Sequence, residues 1–252
     1  MPAEPPAIGA AAAHVRATLD GVFETVTLVR DATARCLEDV RRGGRAPVRA
    51  DLAELRPLLA AHLGLLICGI GFIAAPQLLA DAAWYLEWWQ AGPAGSPVQL
   101  LRDLNPESNA LYDYTEWEWF TGPESGAERT VCGPYVDYLC SDEYVLTLSA
   151  PVLVAGAFAG VAAADVFART FENEVVPALR EIPAPAFVVN APGRVMASNT
   201  ASWPPAPSTG EAPATRPARA APTASGSWSR GERTARRRLI GGVRRRGSSG
   251  LG

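Results

Sequence analysis

From Ile8 to Arg42, apolar residues return at three-, four- and seven-residue steps: Val15, Leu19, Val22, Val26, Val29, Cys36, Leu37 and Val40, with Asp and Arg between. That period predicts one long amphipathic helix, roughly 50 Å at about 1.5 Å per residue. Such a length exceeds what one small sheet covers, so part of the stripe is expected to pack on a second copy of the chain. Gly43 and Gly44 end the helix. A second helix is expected over Ala50 to His62, capped near Asp51 and kinked or shortened at Pro57.

The pattern then changes to that of strands. Leu65 to Ala74 reads as a central strand, and Trp84 to Gln90 as a strand that alternates aromatic side chains across both faces. Pro93 to Pro97 is a turn, and Val98 to Leu104 a further strand. The segment Gly133 to Val166 predicts three strands: one around Tyr135, one from Tyr144 to Val152, and one from Val161 to Val166 after a turn at Gly156. Val166 to Arg180 has helical spacing and is expected to be a crossover helix, with Ala186 to Asn190 and Val195 to Ser198 a last hairpin. The resulting class is α+β, a long N-terminal helix with an antiparallel sheet of about five to six strands and helices on one side. The expected division is 1–49 for the long helix, 50–200 for the sheet domain and 201–252 for a disordered tail rich in Pro, Ala and Arg.

Charge sharpens that division. The first 200 residues hold 13 Arg against 24 acids, and the last 52 hold 10 Arg against Glu211 and Glu232. An acidic body thus carries a basic tail. The abrupt change after Ser198-Asn199-Thr200 is also what an altered reading frame in GC-rich DNA would produce. The tail's Arg clusters could touch nucleic acid without specificity, but no reading helix accompanies them. Leu65 to Ala80 is too short for a membrane span and is broken by Gly69, Gly71, Pro76 and Gln77, and the N-terminus has no basic leader. These features lead to the expectation of a cytoplasmic protein.

Cys36, Cys68, Cys132 and Cys140 lack metal-type spacing, and His14 and His62 lie far from them, so neither a metal nor another cofactor is expected. Cys132 and Cys140 are read as ordinary thiols in preference to a disulfide, and the two histidines as helix-surface residues. The candidate chemistry lies elsewhere. Tyr112 to Phe120 places five aromatics among Asp113, Glu116 and Glu118, which suggests a short helix or loop lining a cleft, the alternative being rings that pack a sheet edge. Asp165 ends a nearly uncharged strand, where a carboxylate needs a protein donor, a cationic ligand, or a helix to cap.

Three strings then resemble a known family: Tyr135-Val-Asp137, Val145-Leu-Thr-Leu-Ser-Ala-Pro-Val152, and Gly160-Val161 leading to Asp165. They are similar to the Tyr-x-Asp, Thr-x-Ser-x-Pro-Val and Gly-Val…Asp strands of the Cache sensor domains, which are PAS-like and bind small ligands. The likeness covers about Ile8 to Thr200. Members that bind amino acids or amines carry a Tyr-x4-Arg-x-Trp-Tyr pattern before the Tyr-x-Asp. Here Tyr112 and Trp119 meet it, while Trp117 stands in place of the Arg and Phe120 in place of the last Tyr. The resemblance implies a ligand site of Tyr112, Trp117, Trp119, Phe120, Tyr135, Asp137 and Asp165.

Loss of the Arg removes the fork for an α-carboxylate, so an aromatic box with acids favours an amine or other cation. The implied function is noncatalytic sensing in signal transduction, with a homodimer through the long helix and a downstream regulatory protein as partners. A carboxylate hydrolase acting on a sugar-like substrate through Asp137, Asp142, Glu143 and Asp165, or a dimerising scaffold, would also fit.

Overall fold

The computed structural model describes residues 6–92, 95–108, 111–137 and 143–201. The chain divides into units Met1–Thr215 and Arg216–Gly252. The second unit and the expected disordered tail from 202 onward lie outside the described residues, as do Asp142 and Cys140.

Helix α1 runs Pro6–Arg42, as its apolar period predicts. Its buried positions extend from Ala11 through Val22, Phe23, Val26, Val29, Thr33 and Leu37 to Val40. The stripe therefore packs along almost its whole length on this chain's own sheet and on the helices beside it. The premise that one sheet leaves much of it uncovered does not hold. The next helical stretch is shorter-stepped than expected: α2 (Arg49–Leu52), one 3-10 turn and α3 (Arg56–His62). Pro57 sits in the first turn of α3, where its missing N–H costs nothing. Asp51 is not the cap residue but reaches back to accept the Val48 N–H at 2.9 Å.

The main sheet has six antiparallel strands in the order β3-β2-β1-β6-β5-β4. They are β1 (Ile67–Ala74), β2 (Leu86–Ala91), β3 (Pro97–Gln99), β4 (Thr130–Val136), β5 (Tyr144–Val154) and β6 (Ala157–Phe167). β3 is much shorter than the strand expected to reach Leu104, since the chain leaves the sheet and Leu101 is exposed. Pro151 is tolerated in β5 because β4 pairs only up to Ser149, so the proline's missing N–H faces an open edge.

Period-2 alternation divides the sheet into two faces. Ile70, Phe72, Leu146, Leu148, Ala162, Ala164 and Val166 face α1 and α5 (Ala168–Arg180). Ile73, Leu86, Trp88, Val161 and Ala163 face a second, smaller core that includes α4 (Glu118–Glu124). Helices thus lie on both faces, with the long ones on one side. Helix α5 does not cross over within the sheet: it leads to a separate hairpin, β7 (Phe187–Val189) and β8 (Val195–Ser198). Asn199 ties that hairpin to α5 through the carbonyls of Leu179 and Ala184 at 3.0 and 2.9 Å.

β6 requires a glycine at one place. Gly160 has φ +141°, and a Cβ there would lie 2.2 Å from the Ile73 carbonyl oxygen of β1. Gly160→Ala should therefore lower the stability read by urea unfolding by at least ~1 kcal/mol. Gly21→Ala, on α1 with open space around it, should raise stability by about 0.5–1 kcal/mol. An unchanged midpoint for Gly160→Ala would contradict the close β1–β6 approach.

Candidate functional site

Pairing across the sheet creates the central feature of the smaller core. Thr147 of β5 sits opposite Asp165 of β6, and Tyr135 follows an irregularity in β4 that aims it at the same face. That irregularity falls at Gly133, where φ is +108° and a Cβ would meet the Val145 carbonyl oxygen at 2.5 Å. The Thr147 hydroxyl donates to Asp165 Oδ1 at 2.6 Å. With its proton committed there, Thr147 Oγ1 accepts from the Tyr135 phenol at 2.7 Å. The result is a directed chain, Tyr135 to Thr147 to Asp165, built across three adjacent strands.

Asp165 is only 7% exposed. Burial pushes its carboxyl up to about 7; the Thr147 hydrogen bond opposes the rise and the nearby Asp137 charge adds to it. Asp165 forms no ion pair with any cationic side chain among the described residues. It does not cap α5, whose flanking residue is Phe167. Tyr135 is held in its neutral form by burial first and by the Asp165 charge second. Cys68 hydrogen-bonds the Asp165 backbone oxygen at 3.2 Å, and burial raises its pKa far above the usual thiol range.

Around this chain lies a cavity lined by Tyr112, Trp119, Tyr135, Asp137, Thr147 and Asp165, with Ile73, Leu86, Trp88, Leu100 and Ala163 completing its walls. Its cavity volume is about 30 Å³, room for about two water-sized groups, within a wider concavity of about 370 Å³ that opens to solvent.

The wall formed by the aromatic insert is anchored at two points. The Tyr114 phenol, fully buried, donates to the Ala74 carbonyl at 2.8 Å and packs edge-on against Trp84. Ser149 of β5 donates to the Trp119 carbonyl at 2.7 Å, fixing α4 over the sheet.

Of the seven residues expected in the site, five line the cavity. Trp117 does not, but stacks on one that does: its ring lies 5.4 Å from that of Tyr135. Phe120 is fully buried between Tyr114 and Phe158 and packs the core behind the site. Sequence reasoning missed Thr147 and Trp88. Thr147 was legible as the Thr of the Thr-x-Ser-x-Pro-Val string, two positions from Ser149 on the same face. Glu143 stands apart from the cavity and pairs with Arg169 at 3.5 Å.

A second buried acid was not anticipated. Glu87 is fully buried on the opposite face of β2 and accepts from Tyr85 at 2.6 Å, Trp89 at 2.7 Å and Arg56 at 3.2 Å. It is the satisfied counterpart of Asp165. Its partners at positions 85 and 89 follow from period-2 spacing alone.

Comparison with known proteins bears on this arrangement. Residues 99–173, which include all seven expected site residues, match the family described as methyl-accepting chemotaxis protein-like, first PDC sensor domain. No curated protein matches the chain significantly. Among solved structures, the extracellular domain of the putative histidine kinase mmHK1S-Z2 superposes with TM-score 0.51 at 12% identity, covering 75% of this chain and 69% of that one. The corresponding domain of mmHK1S-Z3 gives TM-score 0.48 at 15% identity and covers 73% and 64%. The ligand-binding domain of the Pseudomonas aeruginosa PAO1 amino acid chemoreceptor PctC, in complex with GABA, gives 0.45 at 19% identity and covers 73% and 70%. The chain thus spans somewhat under two thirds of the length of mmHK1S-Z3.

These findings correct the expected cytoplasmic location. The matched family model describes a sensor domain of methyl-accepting chemotaxis protein-like proteins and the similar mmHK1S-Z2 domain is extracellular, which points away from the cytoplasm. Among the described residues no helix is long and apolar enough to cross a membrane. Residues 99–173 are thus similar to a PDC sensor domain, and the fold resembles that of the mmHK1S-Z2 extracellular domain.

Proposed function

We propose that this domain is a noncatalytic signal-input module whose ligand is a small amine bound as its cation. The observation that carries the reading is the Asp165 carboxyl: buried, hydrogen-bonded on Oδ1 by Thr147, and facing an aromatic-walled cavity that no cationic side chain lines among the described residues. An ammonium supplies the missing charge and several N–H donors at once, while the faces of Tyr112 and Trp119 favour a cation over a neutral guest.

Against hydrolysis, Glu143, one of the carboxylates that could serve a hydrolase, is engaged by Arg169 away from the cavity. Output is proposed to run through α1. β5 and β6 carry Thr147 and Asp165 on one face and pack α1 and α5 on the other, so a ligand that changes their pairing biases the helix position by its differential affinity. Pairing of two copies through α1 has little exposed apolar surface to draw on, chiefly Ile8 and Leu28. The downstream regulatory partner is reached by the same helix.

Two expected outcomes test the reading. Calorimetric titration of the whole chain with small alkylamines at pH 8 should give binding that Asp165→Asn abolishes while leaving the fold intact by circular dichroism. Below about 7 the affinity should fall close to tenfold per pH unit, because the proton that neutralises Asp165 competes with the ligand. Binding unaffected by Asp165→Asn would sink the cation site.

The second outcome concerns the ligand-free protein. Asp165 binds its proton more tightly folded than unfolded, so ionising it opposes folding. The sign follows: below about pH 4 both states are protonated and nothing is lost, between about 4 and 7 stability declines, and above 7 the loss is complete. The stability difference between Asp165→Asn and the native protein should therefore grow across that window to ~4 kcal/mol at most. Urea unfolding at pH 4 and 8 measures it, and a pH-independent difference would contradict the buried-charge account.

A further inference from the structure

Trp88 faces the same cavity, and nothing so far has used its polar atom. The residue is 6% exposed, and its indole Nε1 is buried with no hydrogen-bond partner among the described residues. Indole N–H is a donor with no acceptor capacity, and a buried donor left unmatched is costly enough that native structures rarely keep one without a use. Its placement is specific. The ring lies across β1 over Gly69, where a Cβ would come within 3.0 Å of Cζ2 and 3.1 Å of Nε1. Gly69 in turn sits opposite Asp165 in the β1–β6 pairing.

A donor lying over β1 and an anion on the adjacent β6 thus share one face of the sheet, in which neighbouring strands are about 5 Å apart. No cationic side chain lines the cavity among the described residues, while Asp137 and Asp165 both do. An acceptor presented to Trp88 is therefore favoured if it is uncharged. A carboxylate there would be repelled by the Asp165 charge.

Resting on the amine reading above, we propose that the site takes an amine bearing a neutral hydrogen-bond acceptor two or three bonds from the nitrogen, and that Trp88 Nε1–H reads that acceptor. Amino ethers, amino alcohols and amino amides share this chemistry. Simple alkylamines lack the acceptor, and amino acids carry a charged one. Trp88 is a specificity residue here, and Asp165 supplies the charge pairing.

Calorimetry on the whole chain at pH 8 with three probes decides it. 2-Methoxyethylamine and butylamine are equal in size and differ in one ether oxygen, and β-alanine carries a carboxylate at similar reach. The native protein should bind the ether amine about 2- to 10-fold more tightly than butylamine, the factor one hydrogen bond supplies, and β-alanine more weakly than both. Trp88→Phe should erase the preference. The native-protein comparison needs no variant, so the test survives a Trp88→Phe protein that fails to fold. Equal binding of the two isosteres, tighter binding of β-alanine, or a preference that persists in Trp88→Phe would each overturn the role of Trp88 and leave the cation site standing. Failure of every amine to bind would overturn the cation site and this inference together.

Discussion

A carboxyl group held out of water without a cationic partner is the constraint around which the sheet's second face is organised. Asp165 could have been satisfied as Glu87 is, by an arginine and two further donors on its own side of the sheet. It receives instead one short hydrogen bond from Thr147, itself supported by Tyr135. The two acids lie in the same six-stranded sheet, are both buried, and face opposite sides. One is a finished structural element, and the other has no ion pair among the described residues. That difference accounts for the raised proton affinity of Asp165 and for the cationic ligand proposed for the site.

The rest of the fold supports this asymmetry. α1 and α5 close one face with an aliphatic core that needs nothing from outside. The smaller core on the other face is aromatic and hinges on two anchors, Tyr114 to Ala74 and Ser149 to Trp119. Those anchors are single hydrogen bonds over the cavity. β5 and β6 carry side chains on both faces and so connect the site face to the helix face.

Much of this was legible in the chain, and the remainder was not for definable reasons. The long helix followed from its 3.6-residue period, and β1, β5 and β6 from apolar runs between glycines. Asp165 stood out as the lone charge of its strand. The packing of the α1 stripe was misjudged because length alone does not reveal that β1, β5, β6, α5 and the short helices α2 and α3 share its burial. Phe120 was assigned to the site by spacing, yet α4 begins at Glu118 and turns that ring behind Tyr114. Trp88 and Trp89 are indistinguishable in sequence, since alternation says only that they face opposite ways. The pairing of β2 with β1 decides which one lines the cavity with Asp165. Location was misjudged because a missing span was taken as information about compartment.

The most direct measurement is a carbon-detected NMR titration of the Asp165 side-chain carboxyl, without ligand and with saturating butylamine. The account predicts a midpoint near 7 for the free protein and a downward displacement of more than about one pH unit when the ammonium is bound. A midpoint near the ordinary aspartate value of about 4, unmoved by the amine, would contradict it.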